Sequence, residues 1–113
     1  MKERREEIDS ELLRFASTVK QELYASRDVL SILETFKKNT TPTFAEEIGI
    51  TCADMRSGSY EIGLRRLEAR LNPSQLSDLI RGLIAVMHGD NGVMYFERLE
   101  HDFKQAEMRK LKS

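Results

Sequence analysis

Apolar residues recur at intervals of three and four along almost the whole chain, and this spacing limits the fold more than any other feature. It is typical of one buried face of an α-helix, whereas a strand needs strict alternation. The first stretch, from about Lys2 to Tyr24, carries the stripe Ile8, Leu12, Phe15, Ala16, Val19 and Leu23. Only Pro42 and Pro73 interrupt the chain, and runs of β-branched residues are scarce. The pattern predicts an all-α protein.

Cap and turn signals divide the next part of the chain into two helices. A shorter helix carries the apolar residues of Val29–Phe36, and we predict that Ser26 caps it. A third helix begins either at Thr41, with proline at its first position, or at Thr43, where Glu46 completes a capping box. The buried stripe of this helix is predicted to be Phe44, Ile48, Cys52 and Met55.

Three more helices follow. Gly58 ends the third helix, Asn72–Gln75 is a strong start signal for the fifth, and Gly89 ends that helix. The predicted buried residues are Tyr60, Leu64, Leu67 and Leu71 in the fourth helix, Leu76, Leu79, Ile80, Leu83 and Met87 in the fifth, and Phe96, Leu99, Phe103 and Ala106 in the sixth. Six helices with short connections predict an antiparallel bundle built from three helical hairpins.

The even-numbered helices share a weak internal repeat. Their apolar positions align as Val29-Leu33-Phe36, Tyr60-Leu64-Leu67 and Gly92-Phe96-Leu99. The repeat predicts burial of its last two positions in each helix. It reflects either common ancestry of three hairpin units or the length that any string of helical hairpins shares.

The chain shows no set of residues that would build a catalytic or cofactor site. Its 113 residues are enough for one domain, and a net charge of −1 makes nucleic acid a poor partner. Cys52 is alone among apolar residues, which indicates a buried side chain rather than a reactive thiol. Glu97 and His101 are one helical turn apart, but the second motif that a metal site would need is missing. We therefore predict a non-enzymatic domain without metal or cofactor.

Basic residues gather near both ends of the chain. In a bundle with an even number of antiparallel helices, both termini emerge at the same end, so these clusters would meet. They would face anionic headgroups of a membrane. They would equally suit the helix dipole at the C-terminus and a solvated N-terminus. The predicted membrane-proximal residues are Lys2, Arg4, Arg5, Arg109, Lys110 and Lys112.

Three turns would lie at the opposite end if they cap the same side of the bundle. These turns contain Ser26, then Ser57, Gly58 and Ser59, and then Gly89, Asp90 and Asn91. A second surface is suggested by apolar residues off the main stripe of the sixth helix, together with Tyr24; they are Met94, Tyr95, Met108 and Leu111. This face would serve self-association or a partner, although scattered apolar residues are common on surfaces.

The segment 55–71, MRSGSYEIGLRRLEARL, resembles the central signature of the type II secretion F-domain family. In that family a helix ends in a small-residue turn and is followed by a helix rich in leucine, glutamate and arginine. The Pro-bearing turn Asn72–Leu76 and the final turn and helix, Gly89–Gly92 and Phe96–Leu99, follow in the order of the family. The first hairpin, with Glu11–Phe15 and Leu33–Phe36, fits as well. Gly63 stands where members of that family often have alanine, and Gly92 stands where an apolar residue is usual.

The resemblance implies a cytoplasmic domain of the platform protein in a type II secretion, type IV pilus or Tad pilus machine of the bacterial inner membrane. Residues 1–113 would be one domain cut from a longer, polytopic membrane protein, soluble in isolation. Its partners would be the secretion ATPase and other machine subunits, with weak homo-oligomers and contact with the membrane at the termini. A free-standing helical adaptor or regulator that binds a partner protein is the alternative.

Overall fold

The helices expected from the apolar stripes are present in the computed structural model. It describes the backbone of residues 2–26, 28–71 and 74–112, and the side chains of residues 10–26, 28–71 and 74–109. The six helices are α1 (Lys2–Leu23), α2 (Val29–Lys37), α3 (Pro42–Ser57), α4 (Tyr60–Leu71), α5 (Ser74–Met87) and α6 (Val93–Lys112). The described backbone contains no strand, so the predicted all-α class is confirmed.

The starts of α2 and α3 decide between the predicted caps. Thr41 is the N-cap of α3, and its side chain accepts a hydrogen bond from the Phe44 N–H at 3.4 Å. The capping box at Thr43 is therefore wrong. Asp28 holds the N-cap position of α2, so the predicted cap at Ser26 is wrong too. Ser26 lies two residues too early, and its hydroxyl instead accepts a hydrogen bond from the Asp28 N–H at 3.1 Å. Asn72 and Pro73 of the predicted α5 start lie outside the described residues.

The core contains the residues that the repeat predicts. Leu33, Phe36, Leu64, Leu67, Phe96 and Leu99 are all buried. Phe15 stacks on Phe36 with ring centroids 4.6 Å apart, and Phe44 meets both rings edge-on. Tyr60, Leu71 and Met87 are only partly buried because each lies at the end of a helix.

Each helix packs against the next, and α6 returns to pack against α1. The helix α5 crosses the interior and contacts α1, α2, α4 and α6. It buries more of its surface accordingly, with Leu76, Leu79, Ile80, Gly82, Leu83, Ile84 and Val86 all inside. The three predicted hairpins are therefore present, closed into one body by the contact between α1 and α6.

Two glycines allow close contact between helices. A Cβ atom on Gly63 of α4 would lie 2.8 Å from Met55 Cγ and 3.2 Å from the Thr51 carbonyl oxygen of α3. A Cβ atom on Gly82 of α5 would lie 2.4 Å from Tyr95 Cε1 of α6. At Gly63, α3 and α4 thus leave no room for a side chain.

Candidate functional site at the ends of the bundle

The helices α1 and α6 run antiparallel. Near the end of α1, Leu23 lies beside Gly92, where an added Cβ would be 3.3 Å from Leu23 Cδ1. Further back along α1, the Lys20 Nζ lies 2.7 Å from the Glu100 Oε1. Earlier still, Leu13 shares a surface groove with Lys104. The start of α1 and the end of α6 therefore lie together, at what we call the terminal end.

One of the predicted membrane-proximal side chains, that of Arg109, lies within the described residues. Arg109 is exposed near the end of α6. The side chains of Lys2, Arg4, Arg5, Lys110 and Lys112 lie outside the described residues, although the helices α1 and α6 include these positions. Their contact with headgroups stays a prediction.

The three predicted turns lie toward the opposite end, which we call the turn end. Tyr24, two residues before Ser26, lines one surface groove together with Asn91. His88 Nε2, one residue before Gly89, lies 3.6 Å from Glu61 Oε1, just after the turn at Ser57, Gly58 and Ser59. The turn between α5 and α6 thus lies near the turn after α1 on one side and near the turn before α4 on the other.

Backbone geometry explains the turn between α5 and α6. Gly89 and Gly92 have φ angles of 102° and 79°, in the left-handed region that favours glycine. The Asp90 N–H donates to the Ala85 carbonyl oxygen at 3.1 Å, and Asn91 Oδ1 accepts from the Val93 N–H at 3.3 Å. These bonds close α5 and open α6, so the Asp90 backbone and the Asn91 side chain serve the turn. Within the described part of the chain, no group of three or more His, Cys, Asp or Glu residues could hold a metal ion.

The apolar residues off the main stripe do not all share one face. Tyr24 and Met94 line one groove at the turn end and are 70% and 83% exposed. Tyr95 instead packs on Gly82, and its hydroxyl donates to the Asp78 carbonyl oxygen at 2.7 Å. It therefore belongs to the contact between α5 and α6. Met108 is exposed toward the terminal end, and the side chain of Leu111 lies outside the described residues.

Polar contacts between α1 and α6 centre on Glu100. Its carboxylate accepts hydrogen bonds from the Lys20 ammonium and the Ser17 hydroxyl. The bond from Lys20 and, to a smaller extent, the bond from Ser17 lower the pKa of the Glu100 carboxyl. The same contact raises the pKa of Lys20. The pair fixes the side-by-side arrangement of the two helices that defines the terminal end.

A second polar cluster, around Glu11, holds the connection between α2 and α3 against α1. Glu11 is only 4% exposed. Its carboxylate accepts hydrogen bonds from the Thr40 hydroxyl and from the Thr41 N–H at 3.3 Å. Arg14 contacts Glu11 at 3.3 Å and donates to the Asn39 carbonyl oxygen at 2.7 Å. Sequence reasoning missed this cluster, and its signal was a glutamate four residues before Phe15, at the edge of the apolar stripe.

Arg70 joins α4 to α3 in a third cluster. Its Nε donates to Glu47 Oε1 at 2.8 Å, and its Nη2 donates to Thr51 Oγ1 at 3.2 Å. Thr51 is fully buried and donates in turn to the Glu47 carbonyl oxygen at 3.0 Å. Each of the three clusters joins separate parts of the fold. Their buried polar groups are therefore explained by a structural role.

Cys52 is buried on α3, as its apolar neighbours predict. Burial raises the pKa of its thiol, which disfavours the nucleophilic thiolate. Over the described residues, no helix has both the length and the apolar character required to cross a bilayer. No protein-family model, curated protein or solved structure matches this chain.

Proposed function

We propose that this domain is the cytoplasmic part of a platform protein in a bacterial type II secretion, type IV pilus or Tad pilus machine. In this role it connects a secretion ATPase in the cytoplasm to the membrane complex. The proposal starts from the order of turns and helices that the sequence shares with the F-domain family.

The single observation that carries the proposal is the antiparallel contact between α1 and α6. It puts both chain ends at the terminal end of the bundle, where short linkers can lead both to one membrane. The sequence concentrates Lys2, Arg4 and Arg5 at the start of α1, and Arg109, Lys110 and Lys112 at the end of α6. Basic residues beside membrane spans are typical of the cytoplasmic side. The turn end then points away from the membrane and is the surface for the ATPase.

Vesicle binding tests the membrane part of this proposal. The domain should bind vesicles rich in phosphatidylserine more strongly than vesicles of phosphatidylcholine. Each lysine or arginine near an anionic surface contributes about 1 kcal/mol, and the attraction is screened over roughly 10 Å at 0.1 M salt. Raising the salt concentration should therefore remove the preference. The measurement is the bound fraction in a vesicle sedimentation assay.

Two triple variants with the same change in net charge make the test specific. Arg109→Ser/Lys110→Ser/Lys112→Ser removes basic residues of the terminal end, and we expect binding to weaken by at least about tenfold. Arg56→Ser/Arg65→Ser/Arg81→Ser removes exposed basic residues away from that end and should cost much less. Equal losses in both variants would mean that overall charge, and not the terminal end, drives the binding.

The alternative is a helical adaptor that binds a partner protein at the turn end. The exposed groove at Tyr24 and Met94 favours this function, since exposed aromatic and methionine side chains often anchor protein interfaces. An adaptor has no need for anionic lipid. A domain that binds both kinds of vesicle equally weakly would therefore favour the adaptor over the platform.

A further inference from the structure

The helix α6 carries a row of exposed residues on the side opposite its buried face. Its buried residues are Phe96, Leu99 and Phe103. The exposed row, which we call the outer ridge, consists of Met94, Arg98, His101, Gln105 and Met108. Successive members are four and three residues apart in alternation, which is the spacing through which two helices pack side by side. The ridge thus has a spacing along which a second helix can pack, with a methionine near each end.

Charged residues border the outer ridge on both sides. Glu97 and Lys104 are exposed on the side toward α1. The Glu97 carboxylate is one of the charges that raise the pKa of Lys20 on α1, and Lys104 lines a groove together with Ser17 of α1. Asp102 and Arg109 are also exposed. They follow Tyr95 at intervals of seven residues and therefore lie on the same side of α6 as Tyr95, which packs on Gly82 of α5. Each border thus carries one acidic and one basic residue, in that order along the helix.

This order of charges discriminates between the two ways in which a second α6 can pack on the ridge. In parallel pairing, the border toward α1 of each helix faces the border toward α5 of its neighbour. Glu97 then meets Asp102 and Lys104 meets Arg109, so like charges oppose each other. In antiparallel pairing, the same borders meet in reverse order. Glu97 of each copy then lies beside Lys104 of the other, twice in one symmetric contact.

We infer that the outer ridge is a self-association surface, on which the α6 helices of two copies of this chain pack antiparallel about a two-fold axis near His101. Met94 of each copy covers the end of the other ridge, near Gln105 and Met108. The contact involves one helix face, so the surface area that it buries is smaller than the roughly 1,200 Å² buried in stable complexes. We therefore expect weak association, with a dissociation constant of about 0.1–1 mM.

The inference does not depend on the proposed function. If two copies are attached to one membrane by their terminal ends, their α6 helices run parallel. In that arrangement like charges meet. The antiparallel pair therefore belongs to the unattached domain, and attachment opposes it. Vesicle binding and self-association in solution are separate measurements, so either proposal can fail alone.

Charge reversal tests the pairing by sedimentation equilibrium between about 10 µM and 1 mM protein. Glu97→Lys and Lys104→Glu should each raise the dissociation constant by about tenfold, because each replaces two attractive pairs by two repulsive ones. The double variant Glu97→Lys/Lys104→Glu restores both pairs with reversed sign. It should return to within about threefold of the unchanged domain. Glu46→Lys and Lys38→Glu make the same charge changes at exposed positions outside α6 and should leave the constant unchanged.

Thermal unfolding of every variant, followed by circular dichroism, checks that the fold is retained. Met94→Ser should weaken association without a change in net charge. A strict monomer at 1 mM would overturn the inference. So would a dimer in which the double variant is as weak as the single variants, because the two residues would then not face each other.

Discussion

Gly49 and Gly63 are both helical glycines, but only Gly63 lies where two helices touch. Alanine raises helix propensity by about 1 kcal/mol at an unhindered site. A Cβ on Gly49 would meet only the end of the Lys37 side chain, at 3.4 Å, so we expect Gly49→Ala to raise the free energy of unfolding by about 0.5–1 kcal/mol. At Gly63 the new atom meets the backbone of α3, and forced overpacking costs about 1–3 kcal/mol. Gly63→Ala should therefore lower the free energy of unfolding by about 1 kcal/mol in urea titration. A gain in both variants would contradict the close contact.

Glu100 gives a prediction about pH. Its hydrogen bonds from Lys20 and Ser17 lower the pKa of its carboxyl in the folded chain. Such a group stabilises the fold above its unfolded pKa of about 4.3, and the contribution is lost as the pH falls through the lower folded value. Urea unfolding between about pH 5 and pH 3 should therefore show a smaller loss of stability in Glu100→Gln than in the unchanged domain. Glu46→Gln, at an exposed position of α3, should keep the original slope.

Single residues also show the limit of sequence reasoning. Apolar spacing correctly assigned Phe96 and Cys52 to the core, because helix periodicity decides which side faces inward. It could not detect that Glu11 is buried, since its partners, Thr40 and Thr41, come from a different part of the chain. It also could not detect that the Tyr95 ring packs against α5, because the space for that ring depends on a glycine at position 82 of another helix.

At the scale of elements, α4 offers the clearest comparison of buried and exposed positions. Leu67 is fully buried, whereas Ile62 on the same helix is 52% exposed. Leu67→Ala should lower the free energy of unfolding by about 2–5 kcal/mol, through lost burial and the cavity left behind. Ile62→Ala should change it by about 0.5 kcal/mol or less. Chemical unfolding of both variants measures the difference, and similar effects would mean that α4 is packed in another rotation.

Helix boundaries were predicted to within a few residues where a cap or a glycine marks them. The start of α2 was predicted wrongly at Ser26, because Ser26 and Asp28 are both good cap residues and the choice between them depends on the backbone of the turn. For the same reason, the sequence does not decide between Thr41 and Thr43 as the cap of α3. In the structure, Pro42 at the first position of the helix accompanies Thr41 as its cap.

For the whole molecule, an even number of antiparallel helices predicts that both ends of the chain meet, and the contact between α1 and α6 has this geometry. The central position of α5 was not predictable. Its apolar stripe is wider than those of the other helices, but it has the same spacing of three and four residues. The function proposed for the terminal end rests on charges in the sequence more than on side-chain contacts. Five of the six basic residues lie outside the described side chains.

The central claim is that the domain meets a membrane with its terminal end and keeps its turn end in solution. It is tested most directly by a fluorescent label on a single cysteine, at Met108→Cys or at Ser59→Cys, in a Cys52→Ala background. Both positions are exposed, and they lie toward opposite ends of the bundle. On phosphatidylserine vesicles that carry a quencher in the lipid, the label at position 108 should be quenched and the label at position 59 should stay bright. Equal quenching at both positions, or stronger quenching at position 59, would contradict the proposed orientation.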